Sequence, residues 1–171
     1  MIYRMKTTLP VLAAILAVFV TAECAETLTM NANLIDLRIT EVTNKASTPT
    51  NLIVAVCFTN KSTNELKLLS IFEPVPVFFS WSVQKKGSAP LDLPGAGKIA
   101  FGPEAIAYIH LKPNESYTLN MDLVQFIQRS GLSFADGHYE ISTSYRNQYG
   151  KDCVKGIFKS NVIDVRLKSG D

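Results

Sequence analysis

Hydrophobic and polar residues alternate with a period of two along several short segments of this chain. Ile35, Leu37 and Ile39 each alternate with a polar residue, which is the pattern of a strand with one buried face. The segment 52–59 is almost wholly apolar and rich in β-branched residues, which predicts a central strand. The residues that would share one face of this strand are Leu52, Val54, Val56 and Phe58.

The same pattern recurs along the rest of the chain, with turn residues at fairly regular spacing. Pro113 and Asn114 suit the two central positions of a turn, and 124–130 has the composition of a single helical turn. Together these elements predict an all-β, immunoglobulin-like antiparallel β-sandwich of seven to nine strands. The further predicted strands are 65–72, 78–83, 105–111, 116–123, 139–145 and 156–167.

Two aromatic residues fit structural positions of such a sandwich. Trp81 is the candidate for the core tryptophan, because it alternates with serines in an otherwise aromatic strand. Tyr139 follows a turn glycine at the start of a late strand, so its hydroxyl is expected to bond back to the backbone near the preceding turn.

The first 22 residues have the pattern of a signal peptide. Arg4 and Lys6 precede an uncharged apolar run, 11–22, that is too short to span a membrane and ends in small residues. Cleavage after Ala22 leaves residues 23–171 as a single domain exported to the periplasm or the medium. Cleavage after Cys24 is a rival site, and a retained N-terminal anchor is a further alternative, whereas lipidation at Cys24 is disfavoured because Glu23 precedes it.

The charge balance argues against a nucleic-acid partner. Cleavage after Ala22 removes two basic residues and no acidic ones, so the formal charge falls from +2 to zero. Binding to nucleic acid requires a basic bias that this chain lacks. No segment after residue 22 is long and apolar enough to span a membrane.

The cysteines leave two alternatives open. Export places Cys57 and Cys153 in an oxidising compartment, where they could form a disulfide. The alternative is that Cys57 is a small buried hydrophobe without a partner. Spacing alone cannot decide, because it does not show whether the two Cβ atoms meet.

The segment 84–104 is the candidate binding loop, because it is long, rich in glycine and proline, and lies in an otherwise regular scaffold. Its alternative interpretation is a decorated hairpin with a short edge strand at 98–101. The side chains expected to contact a partner there are Lys85, Lys86, Leu91 and Lys98.

No pattern of residues points to catalysis, a cofactor or a metal ion. His110 and His138 are the two histidines, and neither accompanies a Gly-x-Ser-x-Gly nucleophile turn. Cysteine, histidine and carboxylate residues do not occur at the spacing of a metal site. The expectation is therefore a protein that is not an enzyme, with both histidines structural.

Four short motifs resemble the β-rich N-terminal region of deuterolysin-type secreted metalloproteases. They are Ile99-Ala100-Phe101-Gly102, the run 109–116, Met121-Asp122-Leu123 and Gly137-His138-Tyr139. The resemblance extends over roughly residues 28–146 and implies a non-catalytic companion of a protease. Asn114 stands where that family usually has glycine, and no His-Glu-x-x-His helix is present, so the protease itself is absent.

Two functions remain as hypotheses. The first is an exported, non-catalytic binding module that holds a protein partner with its loops or with an exposed edge strand. The second, which the resemblance implies, is an inhibitor or chaperone-like module of a secreted protease.

Overall fold

The structure is a computed structural model that describes residues 34–42, 48–70, 72, 75–91, 93 and 107–168. The predicted signal peptide, Cys24, Lys98 and the predicted edge strand at 98–101 lie outside the described residues. The described strands are β1 (Ile35–Glu41), β2 (Ile53–Asn60), β3 (Leu66–Leu69), β4 (Phe79–Lys85), β5 (Tyr108–Leu111), β6 (Ser116–Asp122), β7 (Gly137–Asn147), β8 (Gly156–Lys159) and β9 (Ile163–Leu167). The described helices are α1 (Val75–Phe78) and α2 (Leu123–Gln128).

These strands form three antiparallel sheets. One sheet has the order β1-β2-β6, and a second consists of β3 and β5. In the third, β7 pairs with β4 on one side and with both β8 and β9 on the other. The prediction of an all-β protein with antiparallel pairing is confirmed.

The core is built from the alternating residues of the strands. Four residues of the β2 segment have no exposed surface, and they are the ones that the sequence pattern places on one face: Leu52, Val54, Val56 and Phe58. Burying each such side chain is worth about 1.5–3 kcal/mol relative to leaving it in water. The period-two pattern therefore identifies the face that stabilises the fold.

Aromatic side chains join the buried faces of the three-stranded and four-stranded sheets. The ring centroid of Phe58 in β2 lies 5.0 Å from that of Tyr145 in β7, with the two rings nearly perpendicular. Phe79 in β4 lies 5.3 Å from the same tyrosine. The edge-to-face contact of Phe58 with Tyr145 crosses from one sheet to the other and adds to the free energy of burial, whereas Phe79 is the tilted cross-strand neighbour of Tyr145 within the four-stranded sheet.

Trp81 and Tyr139 are both buried, with 7% and 3% of their surfaces exposed. The Tyr139 hydroxyl donates a hydrogen bond to the carbonyl oxygen of Ala135 at 2.9 Å and accepts one from the Ala135 N–H at 3.1 Å. The expected bond from the tyrosine back to the backbone is thus present. It ties the start of β7 to the chain before the turn.

A buried asparagine organises the chain at the end of β2. Asn60 has no exposed surface, and its side-chain nitrogen donates to the carbonyl oxygens of Asn64 and Leu111 at 2.7 and 2.8 Å. Its side-chain oxygen accepts from the backbone N–H and the hydroxyl of Ser62. Asn147 has the same role at the end of β7, where it donates to Val154 O and accepts from the Tyr149 N–H.

Two predicted strands differ from the structure. The segment 156–167 forms two strands rather than one. Residues 160–162 connect them without strand structure, and Val162 there is 61% exposed. The strand predicted over 65–72 is shorter, ending at Leu69. Pro76 lies in α1, between β3 and β4, and because proline has no backbone N–H it cannot donate a hydrogen bond to a neighbouring strand there.

Of the two alternatives for the cysteines, the disulfide between Cys57 and Cys153 is not formed, since both are free thiols. Cys57 lies on the face of β2 opposite to Phe58, where its sulfur is 3.8 Å from the Thr59 hydroxyl. Cys153 instead donates to the carbonyl oxygen of Tyr149, in the loop after β7. The two side chains therefore occupy different environments.

Candidate functional site

The first part of the predicted binding loop is a short hairpin folded against β4. The chain turns at Gly87, whose φ of 81° suits glycine, and the Ser88 N–H donates to Lys85 O. The returning segment then donates from the Leu91 N–H to Val83 O. Lys98 lies outside the described residues, so its part in this site stays a prediction.

The charge of Lys86 is satisfied within the chain. Its Nζ atom lies 2.7 Å from Asp164 Oδ1 and 4.0 Å from Glu140 Oε1. The hydrogen bond and charge of Asp164 raise the pKa of Lys86, and Glu140 adds to that effect. This lysine therefore pairs with β7 and β9 instead of standing free at the loop tip.

The two histidines lie on the surface. His110 Nδ1 is 2.8 Å from Glu65 Oε1, and both side chains are more than half exposed. His138 is exposed on β7. Among the described residues, no group of three or more histidine, cysteine or carboxylate side chains is placed to hold a metal ion.

A cleft of about 610 Å³ opens where β4, β6 and α2 meet. Six of its lining residues are apolar, namely Phe72, Trp81, Leu119, Met121, Leu123 and Phe126. The polar lining residues are Ser70, Asn120, Asp122, Gln125 and Arg129. An apolar cavity of this size with a few polar groups is typical of a binding site. Of the predicted loop residues that the structure describes, Lys85, Lys86 and Leu91 do not line it.

The helix that closes one end of the cleft is fixed by its first residues. Asp122 is the N-cap of α2, and its Oδ1 atom accepts a hydrogen bond from the Gln125 N–H at 3.0 Å. The helix then buries Leu123, Val124, Phe126 and Ile127. The predicted helical turn after the sixth strand is thus confirmed, and it positions both Phe126 and Arg129.

One edge of β6 runs along this cleft and pairs with no strand in the described part of the chain. Two hydrogen bonds show which residues of β6 direct their backbone groups toward β2. They run from the Leu123 N–H to Leu52 O and from the Asn60 N–H to Glu115 O. In an antiparallel pair, alternate residues direct their N–H and C=O groups to the partner. Thr118 and Asn120 therefore direct their backbone groups away from β2, and neither has a partner strand in the described part of the chain.

Two hydrogen-bond donors at the cleft are weakly satisfied or unsatisfied. The Nε1 atom of Trp81 is buried and has no hydrogen-bond partner within the described residues. Arg129 donates through Nη2 to Gln125 Oε1 at 3.4 Å, a long contact. The cleft therefore combines an apolar floor with the exposed guanidinium group of Arg129, beside a strand edge that has no partner among the described residues.

Sequence reasoning missed this site because the residues around it were interpreted as scaffold. Met121-Asp122-Leu123 contains a local signal, namely an aspartate between an alternating strand and an apolar helical turn, as at a helix N-cap. That signal predicts the helix but not the empty space beside it. Only the tertiary arrangement shows that β6 is an edge strand among the described strands.

Comparisons with known proteins assign no family to the chain. No protein-family model matches the sequence, and no curated protein has a sequence that matches it. Among solved structures, the β-glucosidase from Listeria innocua in complex with glucose has 12% sequence identity and a TM-score of 0.37. The match covers 79% of this chain and 16% of that chain. At this TM-score the likeness supports no inference about fold or function.

Proposed function

We propose that this protein is an exported, non-catalytic binding module that captures an extended segment of a protein partner. The segment adds to the open edge of β6 and inserts an apolar side chain into the adjoining cleft. The observation that carries this proposal is the edge at Thr118 and Asn120, which pairs with no described strand and lies beside an apolar cavity of about 610 Å³.

Strand addition explains why the edge and the cleft occur together. Backbone hydrogen bonds to an exposed edge provide affinity that is independent of the partner's sequence, while a pocket beside the edge selects its side chains. The buried surfaces of Met121 and Phe126 give the cleft an apolar floor that suits an aliphatic or aromatic residue.

The scaffold that we propose for this function is an immunoglobulin-like sandwich. Its support is the contact of two antiparallel sheets through Phe58 and Tyr145, together with the hydrogen bond from Tyr139 to Ala135. Within the described residues, no helix has the length and apolar composition needed to span a membrane. The apolar run that precedes residue 23 supports export.

A random linear peptide library, selected on the purified protein, tests the proposal. Peptides that share an apolar anchor residue should be enriched, and their binding should slow hydrogen exchange at the Thr118 and Asn120 amides. Asn120→Pro should abolish binding, because proline removes an N–H that faces the partner and not β2.

The matched control is Asn120→Ala, which removes the same side chain but keeps the N–H. Any weakening in this variant measures the side chain, which lines the cleft, so the further loss in Asn120→Pro measures the backbone N–H. Circular dichroism and the urea midpoint must show that Asn120→Pro is folded. Equal peptide binding by the proline and alanine variants would show that the edge of β6 is not the binding surface.

A further inference from the structure

We propose that the captured segment is an amphipathic strand whose residues i and i+2 are apolar and whose residue between them is polar. The two apolar residues, the anchors, enter the cleft opposite Leu119 and Met121, and the polar residue lies on the outer face of the sheet, opposite Asn120. This inference rests on the proposed function and deepens it by naming the sequence class of the ligand. It follows from the two faces of β6 and from the length of the cleft.

The two faces of β6 differ in chemistry along the whole strand. Side chains alternate between the faces of a strand, so Tyr117, Leu119 and Met121 share the inner face. Met121 is buried and the other two are partly buried, and Leu119 and Met121 both line the cleft. The outer face has four exposed polar residues, namely Ser116, Thr118, Asn120 and Asp122. An apolar row and a polar row therefore lie on opposite sides of the same strand.

A strand added to the edge of β6 that pairs with no described strand continues the same pleat. In parallel and antiparallel pairs alike, directly opposite residues direct their side chains to the same face of the sheet. The segment residues opposite Leu119 and Met121 therefore both point into the cleft, and the one between them, opposite Asn120, points to the outer face. Two consecutive apolar residues would not suit this geometry, because one of them would remain in water.

The cleft is long enough for two anchors in a row. Phe72 lies toward one end, where its ring stacks on that of Tyr117 with 5.9 Å between the centroids. Phe126 lies toward the other end, in α2, which begins directly after β6. Residues i and i+2 of an extended segment are about 6.6 Å apart, as are Leu119 and Met121 in β6. A cavity of about 150 Å³ holds a benzene-sized group, so the volume of about 610 Å³ accommodates two apolar side chains.

The position between the two anchors favours a polar residue. Its side chain lies beside the exposed Thr118 and Asn120 on the outer face, where polar cross-strand pairs stabilise a sheet. An apolar side chain there would stay in contact with water and add little buried surface. Strict alternation of apolar and polar residues is the pattern of a half-buried strand, whereas an amphipathic helix has apolar residues three or four positions apart. The site therefore selects strand-forming segments rather than amphipathic helices.

The spacing of apolar residues in selected peptides provides the first test. The random peptide library is selected on the unmodified protein, and the enriched sequences are aligned on their apolar residues. Pairs of apolar residues should recur at i and i+2, with a polar or charged residue between them. Enrichment of a single apolar residue, or of pairs at i and i+3 or i+4, would overturn this inference.

The fluorescence of Trp81 reports which side chains enter the cleft. Trp81 is the single tryptophan of the chain and lines the cleft, so a bromine atom in contact with it should quench its emission. One selected peptide is synthesised with 4-bromophenylalanine at each position in turn, and the corresponding phenylalanine peptides are the matched controls. At saturation, quenching should be strong at an anchor position and weak at the position between the anchors. Equal quenching at these neighbouring positions would contradict the alternating pattern.

Affinities of variants of the same peptide complete the test. Alanine at either anchor should weaken binding about tenfold or more, because the burial of an apolar side chain is lost. Exchange of the middle residue among Thr, Lys and Glu should change the affinity less than about threefold, since this side chain stays on the exposed face. One glycine inserted between the anchors keeps both of them but moves the second to the outer face, so it should weaken binding as alanine does. An unchanged affinity after this insertion would overturn the inference.

The outcomes separate this inference from the function on which it rests. Enrichment of peptides with a single apolar anchor, combined with a greater loss of binding in Asn120→Pro than in Asn120→Ala, would retain peptide capture and reject the two-anchor pattern. If no peptide is enriched, or if Asn120→Pro binds as well as Asn120→Ala, both proposals fail.

Discussion

The side-chain amide of Asn161 makes both hydrogen bonds to Ile39 that a neighbouring strand would make. Its Oδ1 accepts from the Ile39 N–H at 2.8 Å, and its Nδ2 donates to the Ile39 carbonyl oxygen at 3.1 Å. Ile39 directs these groups away from β2, at the outer edge of β1. The two edges of the three-stranded sheet thus differ, since this one is blocked by a side chain while that of β6 has no partner within the residues that the structure describes. Blocking an edge with a polar side chain prevents pairing with other chains.

Asn161→Ala should remove this block. The stability should fall by about 1 kcal/mol, since the freed backbone groups of Ile39 can bond to water instead. The larger effect should be concentration-dependent self-association through β1, measurable by sedimentation velocity. Asn120→Ala is the control, because its side chain makes no hydrogen bond to the edge of β6. Equal self-association of the two variants would contradict the role given to Asn161.

Asn60→Ala should destabilise the protein by about 3 kcal/mol, because it leaves buried carbonyl and N–H groups without partners. The measurement is urea unfolding followed by tryptophan fluorescence. Asn60→Asp keeps an acceptor for the Ser62 N–H but loses the donors to Asn64 and Leu111. It should therefore also be destabilised. A loss below about 1 kcal/mol in both variants would show that water replaces these bonds.

Tyr145→Phe should increase stability by about 1 kcal/mol. The Tyr145 hydroxyl is buried and has no hydrogen-bond partner within the described residues, so removing it removes a desolvation cost. Its ring contacts with Phe58, Phe78 and Phe158 do not require the hydroxyl. The urea midpoint should rise, whereas a fall would show that the hydroxyl has a partner, such as a buried water.

The same substitution should change the alkaline limit of stability. Burial, and to a smaller extent the nearby Cys153, raise the pKa of Tyr145 in the folded protein. The unfolded chain releases this proton near pH 10, while the folded protein keeps it. The stability that depends on Tyr145 is therefore complete below about pH 10 and is lost as the pH rises toward the folded pKa. Between about pH 9 and about pH 11, Tyr145→Phe should lose less stability than the unmodified protein.

Asp122→Ala should cost about 1 kcal/mol of stability, the usual effect of losing a helix N-cap. Since α2 closes one end of the cleft, peptide binding should weaken as well. Asp122→Asn keeps a side-chain acceptor for the Gln125 N–H and should restore most of both properties. Failure of the asparagine variant to restore stability would show that the charge of Asp122 matters more than the cap itself.

The strands with clear alternation were predictable because one face of each is buried. This holds for β1, β2, β6 and β7, and for the turn at Asn114, whose φ of 64° is the positive value that asparagine tolerates. The division between β8 and β9 also left a signal in the sequence. The buried positions are even in β8 and odd in β9, so the period-two phase shifts between them.

The cleft was not predictable, because it depends on which strands lack neighbours. The lining residues come from separate parts of the chain, from Ser70 to Arg129, and each has an ordinary structural explanation by itself. The ion pair of Lys86 with Asp164 is equally non-local. A positive residue in a glycine-rich loop has the same local pattern whether its charge is free or paired.

The hydrogen bonds of Asn60 have a consequence for how the protein can be produced. Asn60-Lys61-Ser62 matches the acceptor pattern for N-linked sugars, and so does Asn114-Glu115-Ser116. In a secretory pathway that attaches glycans to nascent chains, Asn60 would be modified before folding. The attached sugar would not fit in the core, where the side chain of Asn60 is fully buried. Asn114 is exposed in a turn and would tolerate a sugar. An expression host that does not attach N-linked sugars leaves Asn60 free to be buried as the protein folds.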